Sequence, residues 1–183
     1  SQDGRLLHTI RHASSESDCV SEPWGVSVSA EGLIYVCHTG NQRVTVHDED
    51  GKFLFAFGSK GSGPGCFDYP GDIAFGSDGL VYVADVTNER VCVWSKEGNF
   101  RRHFPCKYKP FYIAATNDNH LLITSLTSHT VMVYTLEGEL IHQFGAQGSD
   151  PGRLSSPYGI YVHNDSGLVY VADMGNSRIQ VFS

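Results

Sequence analysis

The sequence predicts an all-β fold, a β-propeller of four blades, on three observations. A repeat of 40 to 47 residues runs through the chain. Each repeat contains short runs in which apolar and polar residues alternate, and the 3.6-residue spacing of an amphipathic helix is absent. Four short antiparallel strands in a unit of about 40 to 45 residues are typical of a propeller blade.

A proline aligns the four repeats: Pro23, Pro70, Pro110 and Pro157. These prolines are 47, 40 and 47 residues apart, and in the first three repeats an acidic residue followed by glycine stands 27 residues later: Asp50, Glu97 and Glu137. A register kept this strictly predicts one propeller domain over residues 1–183. The predicted blade repeats are 22–58, 69–104, 109–145 and 156–183, the last completed by 3–11.

The strands of each blade follow from period-two patterning. In the first repeat, four strands are predicted around these pairs and triplets: Val26 and Val28, Ile34 and Val36, Val44 and Val46, and Phe53, Phe55 and Phe57. Turn sequences separate them, with "AEG", "SDG" and "DSG" at the first hairpin and "DEDG" and "KEG" at the third.

The two ends of the chain predict how the ring closes. Residues 3–11, "DGRLLHTIR", match the fourth strand "DGKFLFAFG" at 50–58, whereas the last repeat stops after its third strand at Phe182. Pairing the N-terminal strand with the last blade would remove both open sheet edges. We therefore expect a ring closed by its two ends.

Composition limits the class of partner and the compartment. The net charge of −7 argues against broad binding to phosphate backbones, and no apolar run reaches the ~18 residues of a membrane span. The N-terminus lacks the features of a signal peptide. Five widely spaced cysteines without a C-x-x-C motif are typical of free thiols in a reducing compartment, which favours the cytoplasm.

Three hairpins carry a specific family resemblance. The segments "CHTGNQRVTVH" (37–47), "ADVTNERVCVW" (84–94) and "ADMGNSRIQVF" (172–182) resemble the D-x-x-N-x-R-[IV]-x-V-F signature of NHL repeats. The linkers "FGSKGSGPGCFDYP" (57–70) and "FGAQGSDPGRLSSP" (144–157) are similar to those of the same family. The third repeat departs from the signature, with "SLTSHTVMVY" in its place.

The resemblance implies a propeller that is often six-bladed and stands at the C-terminus of tripartite-motif ubiquitin ligases, where it binds RNA or protein. Six blades would need about 270 residues. The alternative to a four-bladed ring is therefore a four-blade fragment of a six-bladed propeller, and a fragment of this kind could self-associate. A longer parent protein could be a ubiquitin ligase through another domain.

The signature residues are predicted to be structural rather than catalytic. They are Asp85, Asn88 and Arg90, their equivalents Asp173, Asn176 and Arg178, and Asn41 and Arg43 in the first repeat, where His38 replaces the aspartate. Asp and Asn side chains bond backbone N–H groups in turns, Asn tolerates a left-handed conformation, and the arginine can bond carbonyl groups. Their recurrence favours this role, because a catalytic constellation need occur only once.

The best candidate for a site is the channel mouth. The residue after each aligned proline opens an innermost strand: Trp24, Gly71, Phe111 and Tyr158. Exposed aromatic residues on loops are common binding anchors. The residues predicted to form a binding face at this end are Trp24, Phe111, Tyr158, Lys107, Tyr108, Lys109, His38, Thr87, Thr127, His129 and Met174.

These observations predict a non-catalytic scaffold that binds a protein or peptide on its loop face. The alternative is single-stranded RNA, held by the aromatic residues with Lys107 and Lys109 at their margin. The sequence contains no G-x-S-x-G, H-E-x-x-H or phosphate-binding glycine loop, so the domain is predicted not to be an enzyme and to need no cofactor or metal. A further alternative is a metal-dependent lyase using His38, His129 and His47.

Overall fold

The computed structural model describes residues 6, 9, 10 and 21–183, and the predicted β-propeller of four blades is confirmed. The first blade contains β1 (Pro23–Val28), β2 (Ile34–His38), β3 (Arg43–His47) and β4 (Phe53–Phe57). The second contains β5 (Pro70–Phe75), β6 (Val81–Asp85), β7 (Arg90–Trp94) and β8 (Phe100–Pro105).

The third blade contains β9 (Tyr112–Ala115), β10 (His120–Ser125), β11 (Thr130–Thr135) and β12 (Leu140–Phe144). The fourth contains β13 (Pro157–His163), β14 (Leu168–Asp173) and β15 (Arg178–Phe182), with a 3-10 turn at Met174–Asn176. Within the described residues this last sheet has three strands. Most of residues 3–11, which were predicted to supply its fourth strand, lie outside the described residues.

Each sheet is antiparallel in sequence order, and its first strand lies nearest the axis. Strand β1 packs beside β5, β5 beside β9, and β9 beside β13. The first strands are therefore the inner strands of the propeller, and the residues that open them meet at one end of the axis.

Alternating side chains form a separate core between each pair of successive blades. Buried residues between the first and second blades include Tyr35, Val44, Phe67 and Trp94; between the second and third, Tyr82, Val93, Phe104 and Met132; between the third and fourth, Leu122, Val131, Val162 and Val171. Burying one such side chain contributes about 1.5–3 kcal/mol, so these three cores hold the blades together.

The far face of the fourth blade is apolar and exposed. Its exposed side chains are Tyr161, Tyr170, Ile179 and Val181. By strand register these positions correspond to Ala114, Leu122, Val131 and Val133, which pack in the core between the third and fourth blades. In the part of the chain that the structure describes, no blade covers this face.

The hairpin between the second and third strands of each blade contains a left-handed residue: Gln42, Glu89, His129 and Ser177. The sequence predicts the signature asparagine at this conformation. In the second blade the left-handed residue is one position later, at Glu89 (φ 53°), and the Asn88 side chain donates hydrogen bonds to the Gly61 carbonyl and to Asp85. None of the described residues forms a helix long and apolar enough to cross a membrane.

Candidate functional site

The inner strands converge closely at the end where they begin. A Cβ atom on Gly25 would lie 2.6 Å from the carbonyl oxygen of Gly71, and one on Gly71 would lie 2.8 Å from that of Phe111. Both distances are shorter than any ordinary Cβ contact, so glycine allows this approach. This close approach brings together the side chains that flank the glycines, at the end of the axis where the inner strands begin.

Four aromatic rings meet there, and we call them the aromatic cluster: Trp24, Tyr69, Tyr112 and Tyr158. The centroid of the Trp24 ring lies 5.6 Å from that of Tyr69 and 6.4 Å from that of Tyr158. The rings of Tyr112 and Tyr158 are 4.5 Å apart. Trp24 retains 40% of its accessible surface, so the cluster presents an open aromatic surface rather than a sealed plug.

The aromatic cluster contains two of the three aromatic residues predicted at the channel mouth. Trp24 and Tyr158 occupy the predicted positions, whereas Phe111 is half-buried and contributes its backbone, donating its N–H to the carbonyl of Thr124 at 3.0 Å. Sequence reasoning missed Tyr69 and Tyr112. Their signal was present, because Tyr69 directly precedes Pro70 and Tyr112 stands two residues after Pro110.

Two tyrosines of the cluster, Tyr69 and Tyr112, have a raised pKa. Burial and hydrogen bonding to Tyr158 raise the pKa of Tyr112, and burial raises the pKa of Tyr69. The Tyr69 hydroxyl can therefore donate a hydrogen bond to a bound partner, while both rings supply apolar surface. This combination suits a partner that offers backbone carbonyls beside apolar side chains.

The predicted hairpin tips divide into exposed and buried residues. Thr87 and Thr127 are exposed, and Met174 keeps 54% of its surface accessible. His129 is half-buried, and its Nδ1 accepts the Ser156 N–H at 2.9 Å. His38 is fully buried, so its predicted place on the binding face is corrected.

His38 turns inward because it replaces the signature aspartate. Its Nδ1 accepts the N–H of Ser21 at 3.3 Å, as the carboxylate of Asp85 accepts the N–H of Asp68 in the next blade. Its Nε2 lies 2.8 Å from the Thr45 hydroxyl, which lies 2.8 Å from Nε2 of His47. Burial, with repulsion from His47 and Arg43, lowers the pKa of His38 to about 4. The ring is therefore neutral at physiological pH.

These histidines do not form a metal site with His129, which lies in the third blade. Over residues 6, 9, 10 and 21–183, no group of three or more His, Cys, Asp or Glu side chains is placed to hold a metal ion. The buried histidines instead connect two neighbouring strands of the first blade.

In the second blade, the signature residues connect the hairpin to the linker before the blade. The Asp85 carboxylate accepts bonds from Arg90 Nε at 2.7 Å, from Asn88 Nδ2 at 2.8 Å and from the Asp68 N–H at 2.7 Å. The remaining donors of Arg90 bond to linker carbonyls: Ser62 at 2.7 Å, Gly63 at 3.1 Å and Cys66 at 2.8 Å. The Asp85 carboxylate and the Arg90 guanidinium are thus engaged within the scaffold.

The fourth blade repeats this arrangement. Asp173 accepts from Arg178 Nε at 2.7 Å and from Asn176 Nδ2 at 2.9 Å, while Arg178 also bonds to three carbonyls of the preceding linker. In the first blade, Asn41 and Arg43 occupy the corresponding positions. These contacts favour a structural role for the signature.

The predicted basic margin lies to the side of the third blade. Lys107 Nζ donates to Oε1 of Gln143 in β12 at 2.8 Å and lies over the Tyr108 ring at 5.3 Å. Tyr108 packs against the core between the second and third blades, and Lys109 is half-buried. Lys107 therefore contacts an outer strand, whereas Trp24, Tyr112 and Tyr158 of the aromatic cluster stand on the inner strands.

Comparison with known families agrees with this fold. Residues 15–104 match a family described as a 6-bladed beta-propeller, and residues 154–182 match the NHL repeat. The resemblance to NHL repeats is thereby confirmed. The six-bladed description favours the alternative in which these four blades form part of a six-bladed propeller. No curated protein matches the chain.

Similar solved structures are propellers with diverse functions. Virginiamycin B lyase from Staphylococcus aureus is 19% identical with a TM-score of 0.68, covering 88% of this chain and 55% of the lyase. A chain of a nidogen/laminin complex is 15% identical with a TM-score of 0.74, covering 89% of this chain and 61% of that chain. The WD40 repeats of RRP9 are 13% identical with a TM-score of 0.63, covering 93% of this chain and 52% of that structure. The chain thus spans between half and two thirds of the length of these structures.

The prediction that the domain is not an enzyme is corrected by these comparisons. Two lyases are among the similar solved structures, and at 19% and 16% identity they show that the fold is shared with enzymes. The absence of contiguous catalytic motifs from the sequence carries little weight for this fold. A propeller assembles its axial residues from different blades, so a reactive group there leaves no local signature.

Proposed function

Because the chain is a β-propeller built of NHL repeats, we propose that it binds a protein or peptide through the aromatic cluster and the hairpin tips around it. The observation that carries this proposal is the exposed ring of Trp24, which contacts the ring of Tyr69 in the linker before β5 and the ring of Tyr158 on inner strand β13. Tryptophan and tyrosine are the residues most enriched among the anchors of protein interfaces.

The surroundings of the cluster support a polypeptide partner. The exposed tips contribute Thr87, Thr127 and Met174, which carry no charge and suit contact with apolar and polar side chains. A solved complex of nidogen with laminin is among the similar structures, so a related scaffold is known to occur with a protein partner. We place the protein in the cytoplasm, where the four free cysteines among the described residues would stay reduced.

Single-stranded RNA remains the second candidate, on the strength of the stacked aromatic rings. The lysines weaken it, because Lys107 is held by Gln143 on an outer strand. RNA binding depends on charge neutralisation and falls steeply with salt, whereas peptide binding through apolar anchors changes little. A poly(U) titration at ~50 and ~200 mM salt therefore separates the two candidates.

The proposal is tested by selecting ligands from a random peptide library and measuring their affinities for single variants. Trp24→Ala and Tyr158→Ala should each weaken binding at least ~30-fold, because an anchor residue contributes about 2 kcal/mol or more. Leu54→Ala is the matched control, since Leu54 is equally exposed but lies on outer strand β4. Equal affinities for all three variants would overturn the proposal.

A further inference from the structure

A pocket opens between the third and fourth blades, at the ends of the inner strands opposite the aromatic cluster, and we call it the inter-blade pocket. It has a volume of about 350 Å³. Its apolar wall belongs to the core between the two blades and consists of Leu122, Val133, Val162 and Val169. Its polar side chains stand in or beside the hairpins that follow the inner strands: Thr116, Asn117, Asp118, His120 and Asn164.

The repeat explains why this interface contains a pocket. Strand register places Leu122 at the position of Tyr35 in the first blade, Tyr82 in the second and Tyr170 in the fourth. Tyr35 and Tyr82 are fully buried, and each fills the interface between its own blade and the next. Leucine has no phenol group, so the interface between the third and fourth blades has space where the two preceding interfaces have a ring.

The third blade retains the hydrogen-bond acceptor of the missing phenol group. In the second blade, the Tyr82 hydroxyl donates to Oδ2 of Asp78 at 2.7 Å. Asp118 stands at the corresponding position of the third blade, as far before Leu122 as Asp78 is before Tyr82, and it lines the pocket. The carboxylate is therefore present without the tyrosine that would donate to it.

A second departure from the repeat lies in the same pocket. His120 stands where the other blades have a leucine: Leu33, Leu80 and Leu168. Its Nδ1 lies 3.1 Å from Oδ2 of Asp118. A carboxylate has roughly four lone-pair sites, so Asp118 can accept a further hydrogen bond beside this contact. The two exchanges in β10 together give a charged acceptor at the rim and an unfilled apolar wall behind it.

One contact between the blades holds the rim of the pocket. The Asn117 N–H donates to Oδ1 of Asn164 at 3.0 Å, which joins the hairpin after β9 to the hairpin after β13. The wall behind this rim consists of strand residues packed in the inter-blade core. The pocket is thus formed before any ligand arrives, and its volume lies at the lower end of the ~300–1,000 Å³ range of small-molecule sites.

We propose that the inter-blade pocket binds a phenol, whose ring lies against the apolar wall and whose hydroxyl donates to Asp118. The ring takes the place that a tyrosine of the chain itself takes in the preceding interfaces. A small molecule and a tyrosine side chain offer the same ring and the same donor. A hydrogen bond to a charged acceptor is stronger than one between neutral groups, so the hydroxyl distinguishes this ligand from a plain aromatic ring. The site is separate from the aromatic cluster and does not depend on peptide binding there.

The test uses p-cresol, which has the structure of the tyrosine side chain, with toluene as the analogue that lacks the hydroxyl. Binding is followed by chemical-shift titration of the methyl groups of Leu122, Val133, Val162 and Val169. We expect p-cresol to bind at least ~10-fold more tightly than toluene, a difference of about 1.4 kcal/mol. Equal affinities for the two compounds, or no shift of these methyl groups, would overturn the proposal.

N-acetyltyrosinamide, titrated in the same way, distinguishes the two sources of the phenol. Tighter binding than that of p-cresol would support a tyrosine residue of a polypeptide as the ligand. Weaker binding would support a free small phenol.

Leu122→Tyr restores the residue of the other three blades. Its ring should occupy the pocket, so p-cresol should no longer shift the methyl groups of Val133, Val162 and Val169. Because the substitution copies the neighbouring blades, the variant should fold as the wild type does. Unchanged p-cresol binding by Leu122→Tyr would contradict the proposed site.

Asp118→Asn tests the acceptor at an exposed position, where the substitution does not threaten the fold. The affinity for p-cresol should fall about 10-fold, to near that for toluene, because the acceptor loses its charge. Asp165→Asn is the matched control, since Asp165 is exposed in the corresponding hairpin of the fourth blade and does not line the pocket. Equal p-cresol affinities for Asp118→Asn and Asp165→Asn would refute the proposal.

Discussion

Asp85 connects more of the scaffold than any ordinary turn residue. It is fully buried, and its carboxylate joins the hairpin to the linker through Arg90, Asn88 and the N–H of Asp68. Removing one partner of a buried ion pair leaves the other charge uncompensated, which is far more costly than losing an exposed pair. The two copies of the signature allow this difference to be measured within one chain.

Asp85→Ala should lower the free energy of unfolding by about 3–5 kcal/mol, because Arg90 would remain buried without its carboxylate. Asp173→Ala is the matched comparison. The Arg178 side chain is 29% exposed against 8% for Arg90, so water can solvate it and the loss should be smaller. Urea denaturation of both variants tests this order, and equal losses would contradict it.

His38 makes stability depend on pH. Its pKa in the folded protein, about 4, lies below its ordinary value of 6.5, so the fold favours the neutral ring. The stability this provides is present above pH 6.5 and is lost as the pH falls toward 4. At pH 5 the loss amounts to at most about 2 kcal/mol.

His38→Asp restores the acceptor that the other blades use and removes this titration. We expect the wild type to lose more stability than His38→Asp between pH 7 and pH 5 in urea denaturation. If the free energy of unfolding fell equally with pH in the two proteins, His38 would not titrate in this range.

At the residue scale, the sequence predicts the location of those residues whose place within the repeat is fixed. Trp24 and Tyr158 could be placed at the mouth because an aligned proline fixes their position. The inward turn of His38 could not be predicted, since it depends on an N–H of the preceding linker. Burial raises the pKa of Asp72 to about 6, which depends on neighbouring blades and leaves no trace in its own repeat.

At the scale of single elements, the linkers act as structural parts rather than as loose connections. Linker residues Phe67 and Leu154 are fully buried between blades. Gly58 allows the first linker to leave β4, with φ at +84° and the Phe67 ring where a Cβ atom would stand, 2.3 Å away. This glycine is required both by its backbone conformation and by packing.

Gly58→Ala should destabilise the protein by roughly 2–4 kcal/mol, because strain from the left-handed conformation adds to overpacking against Phe67. Gly32→Ala provides the control, since Gly32 has φ at +82° but nothing within 4 Å of its Cβ position. It should cost only about 1 kcal/mol. The melting temperatures of the two variants separate the cost of overpacking against Phe67 from the cost of backbone strain. Equal decreases in melting temperature would contradict a packing contribution at Gly58.

Strands were the elements that sequence could predict well. Period-two alternation over Phe53, Phe55 and Phe57 identified β4, and the same pattern identified the other strands. The linkers could be predicted only as connections, because the burial of Phe67 and the carbonyl bonds to Arg90 arise from tertiary packing.

At the scale of the whole molecule, the exposed face of the fourth blade is the largest departure from a closed ring. Ile179 and Val181 are exposed apolar residues, at positions where the third blade buries apolar residues against its neighbour. The pattern of the sequence predicted four blades correctly, but the angle between successive blades, which decides how many close a ring, is a geometric property that the pattern does not encode.

We expect this face to associate with a second copy of the chain at high concentration, measured as mass by light scattering. Ile179→Ser combined with Val181→Ser should shift the protein toward the monomer, since burial of each side chain contributes about 1.5–3 kcal/mol. Ile141→Ser, an exposed substitution on outer strand β12, should not. A concentration-independent monomer mass of the wild type would refute this expectation.

The central claim is that a polypeptide binds on the aromatic cluster, and Trp24 itself reports it. The chain has two tryptophans, and Trp94 is 3% exposed, so a Trp94→Phe variant leaves Trp24 as the single emitter. Acrylamide quenching of this variant is measured with and without a saturating selected peptide. The bound peptide should shield Trp24 and lower the quenching constant severalfold, whereas an unchanged constant at saturation would place the binding surface elsewhere.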